Sequence, residues 1–297
     1  MRKDGRGIMG ELARFTVIKN NPELTGLARW IGGITYSADT GVELKLELLQ
    51  PWAAGEDKRY PCIVFVQGSA WTFPDVGYEL PQLGEFARKG YVVATLTHRS
   101  SVENHKAPAF LEDVKTGIRF LRKNAAKYGI DPERIGIWGT SSGGNTALLM
   151  GLTGDDPFYR TKEYSEYSDA VKTVAECFGP ADLFELFKQG VPELDENGQP
   201  SIFIRLLGDT VEEQRERMSM MNPVEKVVPE KQYPPFLLMH GDKDELVPYD
   251  QCTLMADKLC ECGVHTEVIR VEGAPHEGDF WSQELLDLIE DFFARTL

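Results

Sequence analysis

The sequence predicts an α/β fold: a mostly parallel central sheet flanked by helices on both faces. Three observations carry that expectation. Strand-like apolar runs alternate with segments of helical period along most of the chain. Two runs, Cys62-Ile63-Val64-Phe65-Val66 and Tyr91-Val92-Val93-Ala94-Thr95-Leu96, are continuous rather than alternating, as strands buried on both faces are. A third, Ile135-Gly136-Ile137-Trp138, runs straight into Gly139-Thr140-Ser141-Ser142-Gly143 and then into small helix-compatible residues.

Taken in order, residues 1–33 form an N-terminal extension of plain helical patterning, and residues 34–297 form one domain. Residues 42–49 alternate polar and apolar, as a half-exposed early strand does. After the strand at 62–66, residues 82–89 form a short helix that stops at Gly90, a C-cap position. The strand at 91–96 follows. Residues 109–128 repeat apolar side chains at helical spacing (Phe110, Val114, Ile118, Leu121) and end at Gly129. Strands are expected at 134–138, 171–178, 236–239 and 265–271, and residues 282–293 form an amphipathic closing helix. Residues 184–233 carry no strand signal but mix aromatics, charges and methionines. A long insertion late in an α/β sheet suggests a cap over the site.

The composition excludes several classes of partner. A formal net charge of −15 repels nucleic acid and anionic membrane surfaces, so neither is expected as a partner. Nowhere do about 18 apolar residues run together, and no apolar stretch of signal-peptide length follows Met1-Arg2-Lys3. The five cysteines are odd in number and scattered, which reads as free thiols in a reducing compartment and makes the cytoplasm the expected location. Cys260-Glu261-Cys262 lacks a second pair with ligand spacing, so no metal and no cofactor are expected.

The chemistry gathers around Ser141. The G-x-S-x-G pattern Gly139-Thr140-Ser141-Ser142-Gly143 needs small residues two before and two after the serine, because the chain turns sharply there. The turn lifts the hydroxyl clear of the sheet and sets it at a helix N-terminus, whose N–H groups favour a developing oxyanion. A serine hydroxyl at neutral pH needs a base, and the base needs an orienting acid. His276, in Gly273-Ala274-Pro275-His276, lies in the loop between the last strand and the closing helix, within reach of the elbow. His265 opens a strand and reads as structural, while His240 reads as a shaper of the acid's loop. Asp244 is the expected acid, three residues past Gly241, with Asp242 as competitor and Glu245 third. Leu246 and Val247 occupy positions that a calcium loop needs polar and glycine. The oxyanion donors are expected from Ser142 and from the loop Gln67-Gly68-Ser69-Ala70, with Ser69 favoured and Ala70 next.

Six segments together resemble the α/β-hydrolase superfamily, closest to bacterial carboxylesterases of the acetyl-xylan/feruloyl esterase-like group, which are related to the hydrolase domain of prolyl oligopeptidases. The resemblance covers roughly residues 34–297. Residues 64–71 are similar to a strand followed by an HGGxW loop, 97–100 to a DYRLS turn, and 128–144 to a YGIDPxRIGxxGxSAGG elbow. Asn222-Pro223 is similar to an SP step, 236–248 to HGxxDxxVP and 273–276 to GxxH. The resemblance implies Ser141 as nucleophile, Asp244 as acid and His276 as base. The chain departs from the pattern at Gln67 for His, Ser69 for Gly and Thr97-His98 for Asp-Tyr.

The expected activity is a serine carboxylesterase that cleaves a short acyl group, acetyl above all, from a small-molecule or oligosaccharide ester. Trp71 and Trp281 are the candidate platforms for a sugar or aryl ring. A small aminopeptidase or amidase using the same three residues is the alternative. A non-enzymatic binder is the third reading, set against the filled nucleophile, acid and base positions.

Overall fold

Eight strands form one sheet in the order β1-β2-β4-β3-β5-β6-β7-β8. This is a computed structural model, and it describes residues 16–55 and 57–297. Residues 1–15 of the N-terminal extension lie outside the described residues. The strands are β1 (Ala28–Ser37), β2 (Leu44–Pro51), β3 (Tyr60–Val66), β4 (Val92–Leu96), β5 (Ile130–Thr140), β6 (Val174–Cys177), β7 (Phe236–Gly241) and β8 (Thr266–Val271). β1 and β2 are antiparallel to their neighbours, and from β4 to β8 every pairing is parallel. β1 is not foreshadowed by the sequence pattern. It begins inside the segment set apart as an extension, and its burial pattern shows no alternation to betray it.

The strand order places a topological switch at the centre of the sheet. From β3 the chain moves outward through α1 (Leu80–Lys89) to β4, then returns through α2 (Ala109–Lys123) and α3 (Ala125–Tyr128) to β5 on the other side of β3. The loops leaving β3 and β5 therefore diverge to opposite faces and leave a crevice between them, where ligands bind in open α/β sheets. The register is level there: Val66 pairs with Gly139, and Thr140 with Cys177. Both loops thus emerge at one edge of the sheet.

Two apolar layers hold the sheet. Along β3 the side chains of Cys62, Val64 and Val66 enter one layer with Val114, Ile118 and Leu148, while Ile63 and Phe65 enter the other. That second layer packs Leu83 and Phe86 of α1 beside Leu285, Ile289 and Phe292 of α10 (Gln283–Thr296). This division is the period-two alternation of a strand covered on both faces. The segment expected as one helix over 109–128 breaks at Asn124, whose side chain donates to the Phe120 carbonyl and ends α2.

α4 (Ser142–Leu152) leaves the elbow and is buried along its whole length. Residues 184–233 contain no strand beyond an isolated bridge, Leu194 to Pro200. They hold the end of α5 (Leu183–Leu186), then α6 (Ile202–Leu207), α7 (Val211–Met220) and α8 (Pro223–Lys226). α9 (Asp250–Glu261) joins β7 to β8. All five cysteines are unpaired thiols. Among the described residues no helix is long and apolar enough to cross a membrane.

Candidate active site

Ser141 sits between β5 and α4 with φ 51° and ψ −122°, a conformation that a non-glycine residue adopts only where its surroundings enforce it. Here the surroundings are glycines. A Cβ on Gly139 would lie 2.0 Å from the Gly143 carbonyl oxygen, and one on Gly143 would lie 1.9 Å from that of Val66. The Ser141 N–H donates to the Cys177 carbonyl (2.9 Å), which ties the elbow to the end of β6.

The loops after β7 and β8 bring two more side chains to the serine. His276 Nε2 lies 2.9 Å from Ser141 Oγ, and His276 Nδ1 lies 2.6 Å from Asp244 Oδ2. With Asp244 ionised, Nδ1 carries the proton and donates to the carboxylate, which leaves Nε2 as acceptor for the serine O–H. Asp244 is held on both oxygens: Oδ1 accepts from the N–H groups of Leu246 and Val247, while Oδ2 also lies 3.2 Å from His240 Nε2. Burial alone would raise this carboxyl. The hydrogen bonds from His240, His276 and Val247 outweigh burial and keep it well below the usual range.

The other residues weighed for these roles lie elsewhere. Asp242 Oδ1 accepts from the Gly273 N–H (2.7 Å), fastening the acid loop to the histidine loop, and Glu245 is exposed. His240 is fully buried, with Nε2 2.8 Å from the Val247 carbonyl, so it braces the turn that carries Asp244. His265 is at the surface beside Glu267.

The loop after β3 packs directly on the elbow. Gly68 N–H donates to Thr140 Oγ1 (2.8 Å), and a Cβ on Gly68 would stand 2.7 Å from that of Ser141. The expectation for Ser69 needs correction. Its N–H donates to the Ser142 hydroxyl (2.9 Å) and is therefore engaged. The N–H groups of Ala70 and Ser142 have no partner among the described residues. Ala70 and Trp71 both take left-handed backbone, φ 49° and 57°. The sequence does show one signal for this arrangement, because Ser142 stands where the elbow pattern has alanine.

Trp71 also departs from expectation. Its indole is 3% exposed and packs against Phe110, so it is a core residue beneath the loop rather than an open platform. Trp281 is partly exposed. Its ring centroid lies 6.0 Å from that of Trp138 and 6.0 Å from that of Phe178, and Phe178 in turn meets the His276 ring edge-on at 4.7 Å. Trp281 borders a cavity of about 490 Å³ that Glu79 also lines. Nothing in the sequence singles out Glu79 or Phe178, since neither belongs to a chemical motif.

The BD-FAE family matches residues 47–259, a span that includes Ser141 and Asp244 and stops before β8. Esterase LipC of Mycobacterium tuberculosis is 30% identical over 221 residues, 72% of this chain and 52% of LipC. The chain thus spans about half the length of that relative. Among solved structures, a truncated carbohydrate esterase from gut microbiota superposes with a TM-score of 0.75 at 27% identity, covering 90% of this chain and 96% of that one. Esterase Est2 of Thermogutta terrifontis with butyrate bound gives 0.74 at 26% identity, covering 92% and 95%. With its sheet order and the family match in agreement, this chain belongs to the BD-FAE family of α/β-hydrolase esterases.

Proposed function

We propose that the protein is a serine carboxylesterase that removes a short acyl group, acetyl for preference, from a hydroxyl of a carbohydrate or similar alcohol. One observation carries this reading: the unbroken hydrogen-bonded chain Ser141–His276–Asp244 beside two unengaged N–H groups. Ser141 Oγ attacks the ester carbonyl as His276 Nε2 takes its proton. The N–H groups of Ala70 and Ser142 receive the oxyanion. His276 then returns the proton to the departing alcohol, and an acyl group stays on Ser141. Water, activated by His276, releases the acid. Asp244 remains ionised throughout, holding the imidazole in one tautomer and balancing its charge when protonated.

The short acyl preference draws support from the butyrate bound to the Thermogutta esterase, and the carbohydrate alcohol from the gut-microbial carbohydrate esterase. Residues 184–233 serve in this reading as a cap. In support, Asn145 on α4 donates to the carbonyl of Met221, tying the segment to the nucleophile's helix. The unpaired thiols favour a reducing, cytoplasmic setting.

The test is a p-nitrophenyl ester series from acetate to octanoate, run beside aminoacyl-arylamides. The proposal expects the fastest turnover at the short esters and slower amide cleavage. Faster amide turnover would instead make the protein a peptidase or amidase on the same three residues.

A further inference from the structure

The N-terminal ends of α1 and α10 border the cavity of about 490 Å³ beside Trp281, whose lining includes Tyr78, Glu79, Gln82, Trp138, Trp281 and Gln283. Both helices come after loops of the site: α1 after the loop that leaves β3, and α10 after the loop of His276. One aromatic ring, Phe178, links the cavity wall at Trp281 to the histidine. Glu277, the residue after His276, stands close enough to act on the carboxyl of Glu79, so the cavity lies next to the loop that carries the histidine.

Glu79 is the unusual group in it. The residue is 9% exposed, and its Oε1 has no hydrogen-bond partner among the described residues. Buried polar atoms are almost always partnered, so an orphaned carboxyl oxygen in a cavity wall points to a partner that arrives from outside. Burial, reinforced by the charges of Glu277 and Asp75, pushes the carboxyl up to about 8. At neutral pH it is protonated and can both donate and accept a hydrogen bond.

We infer that Glu79 anchors the alcohol half of the ester, by hydrogen bonding to a free hydroxyl of an uncharged, sugar-like ring lying against Trp281. The inference rests on the esterase reading proposed for this site and adds a residue and a subsite to it. An acetyl group is too small to need this volume, whereas a hydroxylated ring matches a wall of indoles, carboxyls and amides. Glu85 in the wall, with Glu277 nearby, disfavours an alcohol that bears a carboxylate.

The experiment compares two acetates on the full chain: methyl glucoside monoacetate, which carries the ring, and p-nitrophenyl acetate, which has no free hydroxyl. Wild type, Glu79→Leu and Glu79→Gln are measured on both. Losing one buried hydrogen bond is expected to cost Glu79→Leu about tenfold more in kcat/KM on the sugar acetate than on p-nitrophenyl acetate, chiefly through KM. Glu79→Gln keeps a donor and an acceptor and is expected to restore most of that selectivity. Equal losses on both substrates, or no loss on either, would overturn the subsite. If wild type turns over neither acetate, the esterase reading has failed. Calorimetric binding of methyl glucoside itself then decides the subsite: binding weakened in Glu79→Leu supports it, and absent or unchanged binding refutes it.

Discussion

Ser141 and His276 stand 135 positions apart along the chain and His276 and Asp244 stand 32 apart, yet the three side chains lie within hydrogen-bond distance. In Asp244→Asn the amide no longer holds the imidazole in the tautomer that accepts the serine proton. Esterase kcat is expected to fall by about 10³–10⁴-fold with little change in KM, which steady-state kinetics checks. In Gly143→Ala the new methyl meets the Val66 carbonyl oxygen at 1.9 Å, against backbone that cannot yield. A loss of about 3 kcal/mol or more is expected in denaturant unfolding. The meeting of the three side chains is legible in the sequence because each lies in a short pattern at the end of a strand. The choice between Ser69 and Ala70 is not, because it depends on where the Ser142 hydroxyl turns. The burial of Trp71 is hidden for a similar reason: two successive left-handed residues precede and include it, and neither is a glycine to announce the turn.

Among the elements, β6 holds an acid that works against stability at neutral pH. Glu176 is fully buried, accepts from the Gly179 N–H through Oε2, and leaves Oε1 unpartnered among the described residues. Burial pushes its carboxyl from 4.5 up to about 7, despite the opposing effects of His240 and the Gly179 N–H. As pH rises past 4.5 the unfolded chain releases this proton before the folded chain does, so stability declines until about pH 7 and then levels. Glu176→Gln keeps the hydrogen bond and removes the titration. Its thermal midpoint is expected to exceed wild type at about pH 8, with the gap narrowing toward about pH 5. On α2, Lys115 and Arg119 both reach Asp169 in the fully buried interior, at 2.8 and 2.9 Å. Asp169→Asn leaves two buried cations poorly matched and is expected to cost about 3–5 kcal/mol in chemical denaturation. The buried parallel strands are legible because continuous apolar runs admit few other fates. β1 escapes reading, since an edge strand with bulged register and two glycines at its centre carries no period.

For the whole molecule, the strand order does what no single element can. Because β4 and β5 flank β3, the loop carrying Ala70 and the elbow carrying Ser141 leave adjacent strands at one edge, and the level register of β7 and β8 delivers Asp244 and His276 beside them. The parallel sheet is legible from the alternation of runs, but this order depends on crossovers that local patterns do not encode. The net charge of −15 acts over the same scale. Acetate esters bearing a carboxylate are expected to show a higher KM than neutral ones, and the difference is expected to shrink as salt rises from about 0.01 to 0.5 M. The most direct test of the account is labelling with a fluorophosphonate probe, followed by peptide mass spectrometry and paired with p-nitrophenyl acetate hydrolysis by wild type and Ser141→Ala. The account predicts a single label on the peptide containing Ser141, and a variant that is neither labelled nor active but unfolds at the wild-type midpoint. A label on another residue, or near wild-type hydrolysis by a folded Ser141→Ala, would contradict it.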